Sequence, residues 1–206
     1  MVKEDFFFII VPTAGGKSDI NTLWQLAAIP QLLNKKLFPI TCYNKGIAAS
    51  RTTAFSTAKY TLDEMGIKHG GKIRALLWDD DLYFPKNYDI RKLVEVFKAA
   101  DQNNWNLIAN YRVEHPFGEN GMVNVMMKRN EFDQYSFYSD EELAKLKTFD
   151  QLPDTVSGLG FYYGEINLNY LFHYDEYPED INFFRDNKIL LRYLDLRLYH
   201  EKKIFI

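Results

Sequence analysis

Arg74-Ala75-Leu76-Leu77-Trp78-Asp79-Asp80-Asp81-Leu82-Tyr83-Phe84-Pro85 is the stretch that decides the fold. Four apolar residues, Ala75 to Trp78, run directly into three carboxylates, and apolar and aromatic residues follow up to a proline. A short unbroken apolar run closed by a turn reads as a strand buried on both faces. Three adjacent acids cannot all enter a core, and they repel one another. They are tolerated where they face water or where a positive charge, such as a divalent metal, sits among them. Open α/β sheets place their binding crevice at the carboxyl ends of the strands. The acid run therefore marks the edge of a candidate site, against the plainer reading of a solvated acidic turn.

The 206 residues suit one domain, or one domain with a lobe. Their charge of −3 leaves no basic excess to follow a nucleic-acid backbone. Cys42 is the only cysteine, which excludes an intramolecular disulfide and a thiolate metal cluster within the chain. Phe6 to Val11 is too short an apolar run to span a bilayer and lacks the layout of a signal peptide. The expected location is the cytoplasm, with no transmembrane segment and no nucleic-acid partner.

Around the acid run the chain alternates. Asp5 to Thr13 reads as a buried strand ended by Pro12, and Asn21 to Leu33 as a helix bent or broken at Pro30. Leu37 to Tyr43 reads as a second strand and Ile47 to Met65 as a long helix closed by Gly66. Arg51 falls early in that helix, where a cation does not suit the helix dipole, so an anionic ligand or partner is one explanation and a surface arginine the other. A helix is expected over Tyr88 to Ala100 and a strand over Trp105 to Ala109. A loop is expected over Tyr111 to Asn120, a strand over Met122 to Met127 and a short helix from Ser139 to Lys147. Val156 to Gly164 is glycine-spaced and aromatic. Pro178 to Arg185 opens a helix with Glu179-Asp180, and strands are expected over Lys188 to Tyr193 and Leu196 to Tyr199, with His200 next. The strand–helix alternation up to about residue 110 argues for a mainly parallel sheet.

Taken in order, these pieces resemble a GT-A glycosyltransferase, and more narrowly the inverting family-2-like enzymes and the small glycosyltransferases of crenarchaeal viruses. The likeness rests on Pro12-Thr13, Gly46-Ile47-Ala48-Ala49-Ser50-Arg51, the Asp79-Asp80-Asp81 D-x-D element, Gly158–Gly160, Glu179-Asp180 and Tyr199-His200-Glu201-Lys202. It covers most of the chain. It implies one GT-A domain over residues 1–206, a Rossmann-like nucleotide-diphospho-sugar transferase with a mainly parallel, mixed central sheet flanked by helices. Residues 1–110 would form the nucleotide-binding part and 111–206 the acceptor side, in a host's cytoplasm if the source is viral.

The resemblance also implies roles. The partners would be a nucleotide-sugar donor and a glycan, protein or lipid acceptor. Mn²⁺ or Mg²⁺ would stabilise the leaving diphosphate. Asp81 would bind the metal directly, Asp79 would hold the metal or the ribose, and His200 would be a further metal or diphosphate ligand. Asp80 would orient its neighbours or the donor sugar. Arg51 would approach the diphosphate or fix the nucleotide loop, and Pro12-Thr13 would line the donor site. Asp180 would take the acceptor proton, with Glu179 its rival, and attack from the opposite face would invert the anomeric centre. The family's usual base-contacting acid after the second strand is replaced here by Tyr43-Asn44-Lys45; Asn44 can still hydrogen-bond a base edge.

Three other readings compete. Gly16-Lys17-Ser18 after a strand suggests a P-loop nucleotide hydrolase, but Val11 stands where the first glycine of that motif belongs. A nucleotidyltransferase is closer in fold and also uses metal-binding acids. A non-catalytic sugar-nucleotide-binding protein would keep the fold without turnover.

Overall fold

The computed structural model describes residues 5–13, 20–43, 46–80, 82–84, 87–114, 120–121, 127–129, 135–137, 155–156, 161–173, 179–187, 189 and 191–201. They form a mixed α/β structure. Its main sheet has eight strands. Seven lie side by side in the order β2 (Lys36–Tyr43), β1 (Phe6–Thr13), β3 (Lys72–Trp78), β10 (Phe161–Asn167), β5 (Asn106–Glu114), β11 (Leu191–Glu201) and β4 (Leu82–Tyr83). The eighth, β6 (Asn120–Gly121), pairs with β5. Strands β2, β1, β3, β5 and β11 run the same way, and β10 is inserted antiparallel between β3 and β5. The expected mainly parallel mixed sheet is thus present. A small sheet of β7 (Met127–Arg129), β8 (Tyr135–Phe137) and β9 (Thr155–Val156) has the order β8-β7-β9.

Both faces of the main sheet are covered, which is why its inner strands are apolar without alternation. In β1, Phe6, Phe8 and Ile10 join one core and Phe7 and Ile9 the other. The first core is closed by α2 (Ile47–Glu64) through Ala54, Phe55, Ala58 and Leu62, and by α4 (Glu179–Asp186) through Phe183 and Phe184. The second is closed by α1 (Ile20–Leu32) through Leu26 and Ile29, and by α3 (Ile90–Asn103) through Leu93, Val94, Phe97 and Ala100. Asp89 starts α3, its side chain accepting the Arg91 N–H at 3.2 Å, as an N-cap should. No helix among the described residues is long and apolar enough to cross a membrane.

Several elements differ from expectation, each for a local reason. Pro12 does not end β1: it pairs with Cys42, and Thr13 with Tyr43. On its other side β1 pairs with β3 only over Phe8 to Ile10, so at Pro12 the strand behaves as an edge, where proline is tolerated. Pro39 sits in β2, the outermost strand, for the same reason. The loop expected from Tyr111 is strand as far as Glu114, because β11 pairs along it to Glu201 and β6 returns on Val113 and Glu114. The two strands expected near the end are one, β11, with a register shift between Leu194 and Arg197 that marks a bulge. The strand β10 was not expected at all. The helix expected over Ser139 to Lys147 lies outside the described residues, as does most of the strand expected over Met122 to Met127.

Candidate functional site

Trp78 and Leu82 bracket the acid run and both are buried, Trp78 packing on Phe84 at 4.9 Å and edge-on to Phe161 at 5.8 Å between ring centroids. The chain is therefore anchored on either side of the acids. The Leu82 N–H returns to the Asp79 carbonyl at 3.2 Å, and the Phe84 N–H donates to Thr22 Oγ1 of α1 at 3.3 Å. Asp79 and Asp80 are held at the carboxyl end of β3, beside the carboxyl end of β1.

Three contacts knit that edge. Thr13 Oγ1 donates to Asp80 Oδ2. Ser50 Oγ, in the first turn of α2, donates to the Thr13 carbonyl at 3.2 Å. Arg51 Nη2 donates to Asp79 Oδ1 at 3.5 Å. Arg51 is only 3% exposed, so it is not the surface arginine that its position allowed, whereas the Asp79 side chain is 29% exposed. The guanidinium lies 6.0 Å from the Phe172 ring centroid, within cation–π range, and the Phe172 N–H is fixed by Thr52 Oγ1 at 3.0 Å. A buried cation needs compensation; here a carboxylate and an aromatic face supply part of it. Asp80 is buried too, turned toward β1 rather than toward water.

Of the remaining candidates, the main chain of His200 and the start of the helix that carries Glu179-Asp180 come to the same edge by topology. His200 of β11 pairs with Leu82, which puts its Cα about 4.5–5.5 Å from that of the residue after Asp81. Helix α4 ends near the other edge: Asn187, just past it, accepts from Asn167 Nδ2 at 3.1 Å, and Asn167 pairs with Lys72 at the start of β3. Phe183 meets Tyr162, which pairs with Leu77 near the end of β3. The helix is about 12 Å long at 1.5 Å per residue, so Glu179-Asp180 begin it on the carboxyl side of the sheet. Phe183 also stacks on Phe172 at 5.5 Å, linking this helix to the ring that supports Arg51. Tyr43 is exposed at the end of β2, in register with Thr13.

Thr13, Arg51, Asp79 and Asp80 are thus brought together by direct contact, and Pro12 is buried one residue before Thr13. Asn44, Asp81 and the side chains of Glu179, Asp180 and His200 lie outside the described residues. Among the described residues no group of three His, Cys, Asp or Glu side chains could hold a metal. The carboxylate oxygens of Asp79, part exposed, are the hard donors that suit Mg²⁺ or Mn²⁺. Ser50 and Phe172 had no role assigned from sequence. Ser50 stands within the quoted Gly46–Arg51 segment; no sequence signal pointed to Phe172.

A cavity of about 480 Å³ opens at the opposite, amino edge, lined among others by Lys35, Arg74, Asp101 and Tyr163. Its charges satisfy one another. Asp101 accepts from Lys35 Nζ at 2.9 Å, Arg74 Nε at 2.7 Å and Tyr163 Oη at 2.5 Å, and Arg74 lies over the Tyr163 ring at 4.8 Å. Burial pushes the Asp101 carboxyl up, but the hydrogen bonds from Tyr163 and Lys35, with the Lys35 charge and Arg74, outweigh it and leave the group below its ordinary value. This reads as a structural brace joining β3, β10 and α3. Volume alone does not make it the reactive site.

No family model matches the chain, and no curated protein matches it.

Proposed function

We propose that the chain is a metal-dependent glycosyltransferase that moves a sugar from a nucleotide-sugar donor to the hydroxyl of a glycan, protein or lipid acceptor, with inversion. The observation that carries the reading is the convergence of Thr13, Arg51, Asp79 and Asp80 where the parallel strands β1 and β3 end, the usual place for a ligand crevice in such sheets. The register of His200 beside Leu82 and the start of α4 on the same side add to it.

In this reading Asp79, Asp81 and His200 would hold Mn²⁺ or Mg²⁺. When bound there, the metal would supply Lewis-acid stabilisation of the leaving diphosphate. Arg51 sets its charge toward the same phosphates. Asp80, bound to Thr13, would fix the turn that carries Asp79. Asp180, or Glu179 in its place, removes the proton of the acceptor hydroxyl. As the new C–O bond forms at the anomeric carbon, the old one breaks and its electron pair leaves on the diphosphate oxygen. Tyr43, exposed at the end of β2, and Asn44 after it would contact the nucleobase.

The test is a screen of sugar nucleotides with Mn²⁺ and Mg²⁺, reading thermal shift and donor hydrolysis on the same samples. At least one donor should stabilise the protein in a metal-dependent way and be hydrolysed or transferred. Stabilisation by nucleoside triphosphates with triphosphate hydrolysis that is lost in Lys17→Ala would instead support the P-loop alternative. Binding without any turnover would support a non-catalytic carrier.

A further inference from the structure

We propose that the cavity at the amino edge of the sheet is a second binding site, for a small organic carboxylate with an apolar body, its head held by Lys35 and Arg74. The inference goes beyond the nucleotide-sugar reading and does not rest on it. The cavity encloses about 480 Å³, inside the range of about 300–1,000 Å³ that small-molecule pockets occupy. It opens where the starts of β1 and β3 meet the last turn of α3, at the opposite end of β3 from Asp79 and Asp80.

The brace at its wall satisfies Asp101 but leaves positive charge over. Lys35 Nζ and Arg74 Nε donate to Asp101 at 2.9 and 2.7 Å, so two cations share one carboxylate. Fully ionised, Asp101 balances only one of them. Glu165, the other acid at the wall, is matched by Lys72 at 2.7 Å. The surplus suits a monoanion. Hydrogen-bond capacity is left over as well. A guanidinium has five N–H donors and an ammonium three. Among the described residues Arg74 bonds Asp101 and the Trp105 carbonyl, and Lys35 bonds Asp101 alone. Arg74 is also held flat, 4.8 Å from the centroid of the Tyr163 ring, whose hydroxyl donates to the same Asp101. The side chains of Lys35 and Arg74 are 25% and 22% exposed, covered enough to be fixed and open enough to be reached. A carboxylate can take paired N–H bonds from a planar guanidinium. The cavity is far larger than that head, and Phe6, Phe8 and Ile73 give its wall an apolar part for the body. The ligand would add to the brace between β3, β10 and α3, not displace it.

The experiment is calorimetric titration and thermal unfolding of the full chain with benzoate, phenylacetate and 3-phenylpropionate, each beside its neutral amide, with acetate and phenyl phosphate as further probes at one ionic strength. At least one aromatic carboxylate should bind with a Kd of about 1 mM or tighter, the scale for ligands of this size, and raise the Tm. Its amide should bind at least about tenfold more weakly, and acetate should give no measurable heat. Lys35→Gln and Arg74→Gln should each weaken the carboxylate at least about tenfold, the scale of one charge-assisted hydrogen bond. Lys98→Gln, which removes an exposed lysine from the helix that carries Asp101, should leave its affinity unchanged. Each variant is checked for cooperative unfolding. Arg74→Gln takes out part of the brace; if it does not fold, Lys35→Gln, just before β2, decides. No binding by any of the three carboxylates, an amide that binds as well as its acid, or parental affinity in folded Lys35→Gln would each overturn the proposal. Phenyl phosphate bound more tightly than every carboxylate would overturn the assignment of a monoanion.

Discussion

Gly164 lies in the middle of β10, where it pairs with Ala75 of β3. A methyl group added there would meet the Asn106 side-chain oxygen and would lie 2.6 Å from Tyr162 Oη and 2.8 Å from Tyr162 Cζ. Neither neighbour yields cheaply. Tyr162 is fully buried, and its hydroxyl donates to the Glu165 carbonyl at 2.7 Å and to Asn106 Oδ1 at 3.3 Å. Asn106 Oδ1 also accepts the Glu165 N–H at 3.0 Å. Overpacking of this kind costs about 1–3 kcal/mol, and each buried hydrogen bond broken to make room adds about 1 kcal/mol. Gly164→Ala should therefore destabilise by about 2–5 kcal/mol. With a urea slope of about 2 kcal/mol/M, a loss of about 3 kcal/mol lowers the midpoint by about 1.5 M. Tyr162→Phe removes the atom at 2.6 Å, so the double variant should lose less than the sum of the singles by about 1 kcal/mol. A Gly164→Ala midpoint equal to the parent's would refute the packing of β10 between β3 and β5.

Asp81→Ala should abolish Mn²⁺-dependent donor binding while the melting temperature stays level or rises, since repulsion among the acids is relieved; unchanged Mn²⁺-dependent affinity for every donor, by calorimetry, would sink the assignment. Asp180→Asn should keep donor and metal binding but cut transfer by about a hundredfold or more, with Glu179→Gln doing less; near-parental transfer would remove Asp180 from the mechanism. Because the Asp101 carboxyl is held below its unfolded value, its contribution to stability is present above that unfolded value and is lost as pH falls through the folded one. Urea midpoints taken from about pH 6 down to about pH 3 should fall less steeply in Asp101→Asn, and an unchanged slope would show that the brace does not carry the acid sensitivity.

The elements that could be read from sequence are those whose burial is settled locally. The runs Phe6–Val11 and Ala75–Trp78 are apolar without alternation because helices cover both sheet faces, and the period of Leu93, Val94 and Phe97 announced α3. Strand β10 was hidden because Phe161-Tyr162-Tyr163-Gly164 pairs with residues near 76 and 107, distances along the chain that no local period reports. The extension of β5 through Arg112 and Glu114 was hidden because charged residues there owe their strand conformation to partners on either side. In the site, the order of Thr13, Arg51, Asp79 and Asp80 was legible, but their mutual bonds were not. That Asp80 turns inward to Thr13 while Asp79 remains part exposed follows from the turn geometry after Trp78. That Arg51 is buried depends on Phe172, which sequence separates from it by most of the chain.

The antiparallel strand in the middle of the sheet also governs how the chain can be made. Strands β3 and β5 are joined through the short β4 and α3, yet they are not neighbours, and the strand that fills the gap between them is synthesised only after β6 to β9. Until Phe161–Asn167 emerges, a growing chain carries two apolar strand edges with nothing between them, the kind of surface that chaperones hold and aggregates recruit. The late long-range pairing also raises contact order and so slows folding. A fragment that stops at Glu114 would contain Thr13, Arg51, Asp79 and Asp80 but not the strand that seats β3 against β5. The N-terminal half therefore cannot mature ahead of the C-terminal half, and the carboxyl edge is assembled only when the C-terminal third of the chain has folded back through its centre.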